Sequence, residues 1–122
     1  MEVGNKELGD LGETHAARSL ALRGYSIIAR KFRCRFGEID IIAMDRGTLV
    51  FIEVRSRSDD GYGLPYETIN HTKRQHIRRV ATVFQMKYGL LDHDSRFDCV
   101  SVIFDKKGNI KDTEIIKDAF WS

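Results

Sequence analysis

Apolar residues recur along the chain at two periods, and each change of period marks a new element. Over residues 5 to 23, "NKELGDLGETHAARSLALR", Leu8, Leu11, Ala16 and Leu20 supply a helical stripe, and Gly24 is a fitting C-terminal stop. The pattern then alternates. "YSIIARKFR" (25 to 33) predicts a first strand, and residues 38 to 45 and 48 to 57 predict a hairpin turning at Arg46-Gly47. A polar, Gly-rich loop follows, "SDDGYGLPYETINH", long enough to act as a mobile flap. Helical spacing returns over 71 to 88, where Ile77, Val80, Ala81, Phe84 and Tyr88 recur and Thr72 is the candidate cap. "RFDCVSVIFD" predicts a strand, Lys107-Gly108-Asn109 a turn, and "TEIIKDAFW" a last strand or edge segment. This order predicts an α/β fold, a mixed central sheet flanked by helices.

The hairpin carries charges where its apolar pattern has no place for them. Alternation puts Glu38, Asp40, Ile42 and Met44 on one face of the first strand. On the second it groups Leu49, Phe51, Glu53, Arg55 and Arg57. A two-residue turn sets Asp45 opposite Thr48, and the register then sets Asp40 opposite Glu53 and Glu38 opposite Arg55. Facing residues have Cβ atoms about 4.5–5.5 Å apart, so the two carboxylates would repel, the more so among apolar neighbours. A shared proton, a basic neighbour or a divalent cation would offset that repulsion. With no Cys or His expected beside them, the oxygens suit Mg²⁺ or Mn²⁺. Glu13 adds a third acid, in line with Ala16, Ala17 and Leu20 at the edge of the inward stripe, and Gly9 and Gly12 would let the helix approach the sheet. An acid near a helix start is also favoured by the helix dipole, an equally good account of Glu13 taken alone.

Composition narrows the class. A chain of 122 residues with 42% hydrophobic and 31% charged positions and one proline fits a single globular domain spanning 1–122. The net charge of +2 excludes a global basic field. Lys and Arg nevertheless crowd "ARKFRCR" (29 to 35) and "HTKRQHIRR" (71 to 79), local patches of the kind that meet phosphates. The candidate contacts are Arg33, Arg35, Arg57, Lys73, Arg74 and Arg78, with Arg74 and Arg78 presented together to solvent. Phe36, Tyr62 and Tyr66 could stack on splayed bases, although loop aromatics are more often local anchors. Cys34 and Cys99 show no ligand spacing, and neither do His15, His71, His76 and His93, which argues against zinc. Cys99 reads as a small core residue. No signal peptide or membrane-spanning stretch is legible, so the expected location is cytoplasmic.

An acid on the first helix, then Asp40, then Glu53-X-Arg55 on the next strand resembles the PD-(D/E)XK nuclease superfamily. More closely, "GE…AARSLALRGYSIIARKFRCRFGEIDIIA…TLVFIEVRSR" resembles the YraN family, small bacterial proteins related in fold to archaeal Holliday-junction resolvases. The likeness continues through "LPYETI", "TKRQHIRRVA", "RFDCVSV" and "IIKDAF". It implies a restriction-endonuclease-like core in α-β-β-β-α-β order and Mg²⁺- or Mn²⁺-dependent hydrolysis of DNA phosphodiesters, including branched or Holliday-junction-like structures. By position, Asp40 and Glu53 would hold the metal with Glu13 as a further ligand, and Arg55 would occupy the motif's Lys position. Gly37 and Glu38 match the family's "GEID", and Lys73 falls on its basic second helix. Junction-cutting relatives act as symmetric dimers, so the resemblance admits a homodimer. Two positions depart from the superfamily pattern: Ile39 replaces a proline, and Arg55 replaces a lysine. Guanidinium stays charged at any useful pH, so Arg55 can stabilise charge but cannot serve as a base. The competing readings are a catalytically inactive nucleic-acid-binding module and an interaction protein of a repair or recombination assembly.

Overall fold

The computed structural model describes residues 5–58 and 70–119. Both periods become elements in the expected order: α1 (Asn5–Leu22), β1 (Ser26–Cys34), β2 (Gly37–Asp45), β3 (Thr48–Ser58), α2 (His71–Lys87), β4 (Ser95–Phe104) and β5 (Ile110–Ile116). The strands form one mixed sheet in sequence order, antiparallel except for the parallel pair β3–β4 that α2 connects. Its first six elements follow the α-β-β-β-α-β order of a restriction-endonuclease-like core, and β5 adds an edge strand that begins three residues before the predicted segment. The predicted flap and its Tyr62 and Tyr66 lie almost wholly outside the described residues. No helix among the described residues is long and apolar enough to cross a membrane.

Local chemistry sets the ends of these elements. Gly24 takes φ +95 after α1, and the Tyr25 N–H returns to the Leu20 carbonyl at 3.0 Å. Arg46 (φ 51) and Gly47 (φ 86) are both left-handed, the two-residue geometry that matches the twist of a hairpin. The register follows as predicted, from Asp45↔Thr48 to Ile41↔Ile52. The cap of α2 does not. Asn70 Oδ1, not Thr72, accepts the Lys73 N–H at 2.9 Å. Asn70 is extended at the boundary, and Thr72 already lies inside the helix.

Each helix covers one face of the sheet. α2 lays Ile77, Val80 and Phe84 on Ile42, Leu49 and Phe51, while α1 lays Ala16 and Leu20 on Ile41, Val50, Ile52 and Val100. Each large side chain buried in this way contributes roughly 1.5–3 kcal/mol. Leu11, expected in the stripe of α1, is 51% exposed. The inward positions of that turn are Gly12 and Glu13 instead. A Cβ at Gly12 would meet Ser56 Oγ at 1.9 Å, whereas one at Gly9 would meet nothing within 4 Å. Gly12 alone therefore permits the close approach assigned to both glycines.

The expected grouping of Asp40 with Ile42 and Met44 is overturned. Ile39 and Ile42 belong to the α2-side core while Ile41 belongs to the α1-side core, so alternation breaks at Asp40-Ile41. β1 breaks beside it. Lys31 has φ 54, and no Lys31↔Asp40 pair joins Arg30↔Ile41 to Phe32↔Ile39. Both Arg30 and Lys31 then reach α1, at Glu13 and Asp10. A left-handed lysine costs about 1–2 kcal/mol, which these ion pairs and the flanking ladder must outweigh. The consequence is that Asp40 turns towards the helix that carries Glu13.

At the opposite end of the sheet a buried polar cluster closes the fold. Asp98 is fully buried and accepts bonds from Tyr25 Oη at 3.0 Å, from Arg96, and from the Asp118 N–H at 2.9 Å. Arg96 also reaches Asp45 at 2.5 Å. Burial and the neighbouring Asp98 push the Tyr25 hydroxyl up to about 12, so it remains a donor.

Candidate functional site

Past Ile41↔Ile52 the β2–β3 ladder stops, and β2 diverges from β3. Asp40 occupies the gap. Its Oδ2 accepts the Val54 N–H at 2.8 Å, taking the place of the missing ladder carbonyl. The predicted ladder pair of Asp40 with Glu53 therefore does not form, and the two carboxyls meet instead at the splayed end of the ladder. Glu53 is 6% exposed and hydrogen-bonds to Asp40. Burial first, then that bond and the repulsion by Asp40, push its carboxyl up to about 9 against the pull of Lys73 and Arg55. Glu53 therefore keeps its proton at neutral pH.

Glu13 completes the acidic side of the site. It is 6% exposed and faces the sheet, as expected. Burial, then Asp40, raise its carboxyl above the usual range, while Lys31 and Arg30 pull it down. Arg30 Nε donates to Glu13 Oε1 at 3.2 Å. Arg30 was not singled out from the sequence, because its approach to α1 depends on the kink at Lys31. The described residues contain no group of three His, Cys, Asp or Glu side chains that could hold a metal ion.

Two sequence expectations fail here. Glu38 does not pair with Arg55; its ladder partner and ion-pair partner is Arg33 of β1. Nor is the acid pair free of sulfur, because Cys99 is the parallel-ladder partner of Glu53. The Cys99 thiol is pushed up to about 12, chiefly by burial, so it stays neutral and acts as core rather than as a thiolate ligand. Arg55 stands next along β3, its Nε buried and without a hydrogen-bond partner among the described residues.

The basic candidates divide between the two faces. Arg33 and Arg57 line an α1-side cleft of ≈600 Å³ together with Glu13, Asp40, Lys31 and Lys6. On the α2 side, Lys73 Nζ lies 4.0 Å from Glu53 Oε2, and Arg35 sits 4.7 Å from the Phe36 ring centroid. Arg74 and Arg78 are half-buried on α2 rather than presented together to solvent. Positive groups thus flank the acid pair on both sides of the sheet. The buried Asp98–Arg96 cluster also escaped notice, although charges two residues apart in "RFDCV" carry the same signal that marked Glu53.

Fold and site together define a mixed α/β protein with an acid pair, one member of it buried, where its second strand leaves the third. The chain belongs to UPF0102: the model of the uncharacterised protein family UPF0102 matches residues 12–102, and this is the family to which the YraN likeness pointed. The UPF0102 protein of Clostridium kluyveri is 40% identical over 95% of each chain. That of Caldicellulosiruptor saccharolyticus is 41% identical over 97% of this chain and 100% of its own. That of Caldicellulosiruptor bescii is 43% identical over 94% and 98%. Among solved structures, a repair endonuclease from Pyrococcus abyssi is similar at 17% identity and a TM-score of 0.41, over 86% of this chain and 38% of that one.

Proposed function

We propose that this protein is a Mg²⁺- or Mn²⁺-dependent deoxyribonuclease that hydrolyses phosphodiester bonds, with branched or Holliday-junction-like DNA among its substrates. The observation that carries the reading is the Asp40/Glu53 carboxyl pair, in which Glu53 is buried and has its proton affinity raised by burial and by Asp40, with Lys73 and Arg55 beside it. Proximal pairs with raised proton affinity mark functional sites more often than structural ones. The donor set fits a hard divalent cation: two adjoining carboxyls whose repulsion calls for positive charge, with Glu13 on the same cleft and a neighbouring thiol that stays protonated. Bound there, the cation would supply an acidified water and neutralise charge on the phosphate.

The chain's own residues do the rest. Asp40, fixed by the Val54 N–H, and Glu53, once it has lost its proton, hold the cation. Glu13, its proton affinity raised by burial and by Asp40, stands on the same cleft as Asp40 as a further ligand or as the acceptor of a proton from the attacking water. Arg55 directs a fixed charge at the phosphate, for which its Nε, without a hydrogen-bond partner among the described residues, offers a donor. Arg33, Arg35, Arg57, Lys73, Arg74 and Arg78 meet backbone phosphates on either side and fix position without reading sequence.

A binding module that does not turn over is the second reading, favoured by Arg55 standing where a lysine could have given up a proton. Nicking of supercoiled plasmid and of a four-way junction separates the two. The nuclease reading expects cleavage with Mg²⁺ or Mn²⁺ that is abolished by chelator and by Asp40→Ala. Salt-sensitive binding with no cleavage across both metals and both substrates would establish the binding module instead.

A further inference from the structure

A second cavity, on the α2 side, takes no part in that chemistry. It measures ≈390 Å³, and its walls include Phe36, Asn70, Thr72, Lys73 and His76. Its floor is apolar, because Ile77 and Val80 are buried and Phe36 packs on the same core. Lys73 in the wall suits a phosphate, whereas the apolar floor suits the flat face of a ring. The volume lies near the low end of the roughly 300–1,000 Å³ typical of small-ligand sites. A flat heteroaromatic ring suits both features: its faces would meet Phe36 and the floor, and its polar edge the side chains of Asn70, Thr72 and His76.

Phe36 is held for this task. It sits in the two-residue loop Arg35-Phe36 that joins β1 to β2, closed by the pair Cys34↔Gly37. The Arg35 and Arg79 guanidiniums lie 4.7 and 5.8 Å from its ring centroid, which places two positive charges around the ring. Lys73, in the cavity wall, is also the residue 4.0 Å from Glu53 Oε2. Glu38 borders both this cavity and the acidic cleft, so the two adjoin.

We propose that the cavity receives one unpaired nucleobase of the strand whose phosphate lies at the acid pair, so that the protein prefers single-stranded or locally unpaired DNA to intact duplex. The inference rests on the nucleic-acid reading above and deepens it. A base inside a duplex is stacked and must first be extruded, whereas an unpaired one enters without that cost.

The test is binding in EDTA, where the metal-dependent cleavage proposed above is silent. Short single-stranded oligonucleotides carry 2-aminopurine, or an abasic residue, at each position in turn, and the same sequence is presented as duplex. We expect 2-aminopurine fluorescence to change at one position, and the abasic residue there to weaken binding about tenfold, the size of one base–aromatic stack. Phe36→Leu, which keeps apolar bulk but loses the ring, should weaken single-strand binding by a similar factor and narrow the preference for single strand over duplex. An abasic scan flat at every position, with equal affinity for single strand and duplex, overturns the proposal, and that scan needs no protein variant. Position-dependent binding without cleavage in any metal would keep the cavity and remove the nuclease reading; cleavage with a flat scan would do the reverse.

Discussion

Glu53→Gln reads the acid pair without breaking it, because the amide keeps the shape, can donate to Asp40 and cannot ionise. In the unfolded chain Glu53 titrates near 4.5, and in the fold near 9, owing to burial and then to its bond with Asp40 and the repulsion there. Between those values the unfolded state releases a proton that the native state keeps. Stability therefore falls as pH rises, by about 1.4 kcal/mol per unit for this one group. The loss is absent below about pH 4.5 and complete above about pH 9. At pH 7 the interval is two and a half units, which gives about 3 kcal/mol. Glu53→Gln removes this slope, so in EDTA the variant should be more stable than the wild type by about 3 kcal/mol at pH 7 and converge with it toward pH 4.5. Urea denaturation of both proteins at several pH values measures the difference. A variant no more stable, or less stable, at pH 7 would mean that the carboxylate is already welcome as an anion, and the reasoning about a protonated Glu53 would fail.

Further substitutions test the helix approach, the buried cluster and the role of Arg55 separately. Gly12→Ala should destabilise by about 1–3 kcal/mol in chemical denaturation, since its Cβ collides with Ser56, and Ser56→Ala should recover part of the loss. Gly9→Ala, facing open space in the same helix, should instead stabilise by about 0.5–1 kcal/mol. Asp98→Ala should cost about 3–5 kcal/mol, because Tyr25, Arg96 and the Asp118 N–H all lose their buried acceptor; a loss under 1 kcal/mol would mean that these donors find water or other partners without it. Arg55→Lys should retain or raise the cleavage rate while Arg55→Ala lowers it about 10²–10³-fold; an unchanged alanine variant would take Arg55 out of the mechanism.

The hairpin was legible because its information is local. Arg46-Gly47 can adopt two consecutive left-handed residues, and that turn carries the register as far as Ile41↔Ile52. Counting outward then reached the Asp40/Glu53 neighbourhood, and the inward direction of Glu13 followed from helical spacing. What failed depends on contacts distant in sequence. Asp40 leaves the face of Ile42 beside Lys31, nine residues earlier, which adopts φ 54 and pairs with Asp10 on another element. Cys99 reaches Glu53 through a parallel register with no turn to announce it. The Leu11 error has a similar origin: Gly12 and Glu13 take the inward positions because Ser56 lies opposite, and no helical period contains Ser56.

Cation binding tests the central claim most directly, by calorimetric titration of Mn²⁺ into the wild type, Asp40→Asn and Glu53→Gln at pH 7 in two buffers of different ionisation enthalpy. The account predicts about one Mn²⁺ per chain with about one proton released, since Glu53 must give up its proton, and no comparable binding in either variant. Binding that survives both substitutions, or no binding in the wild type, would contradict it.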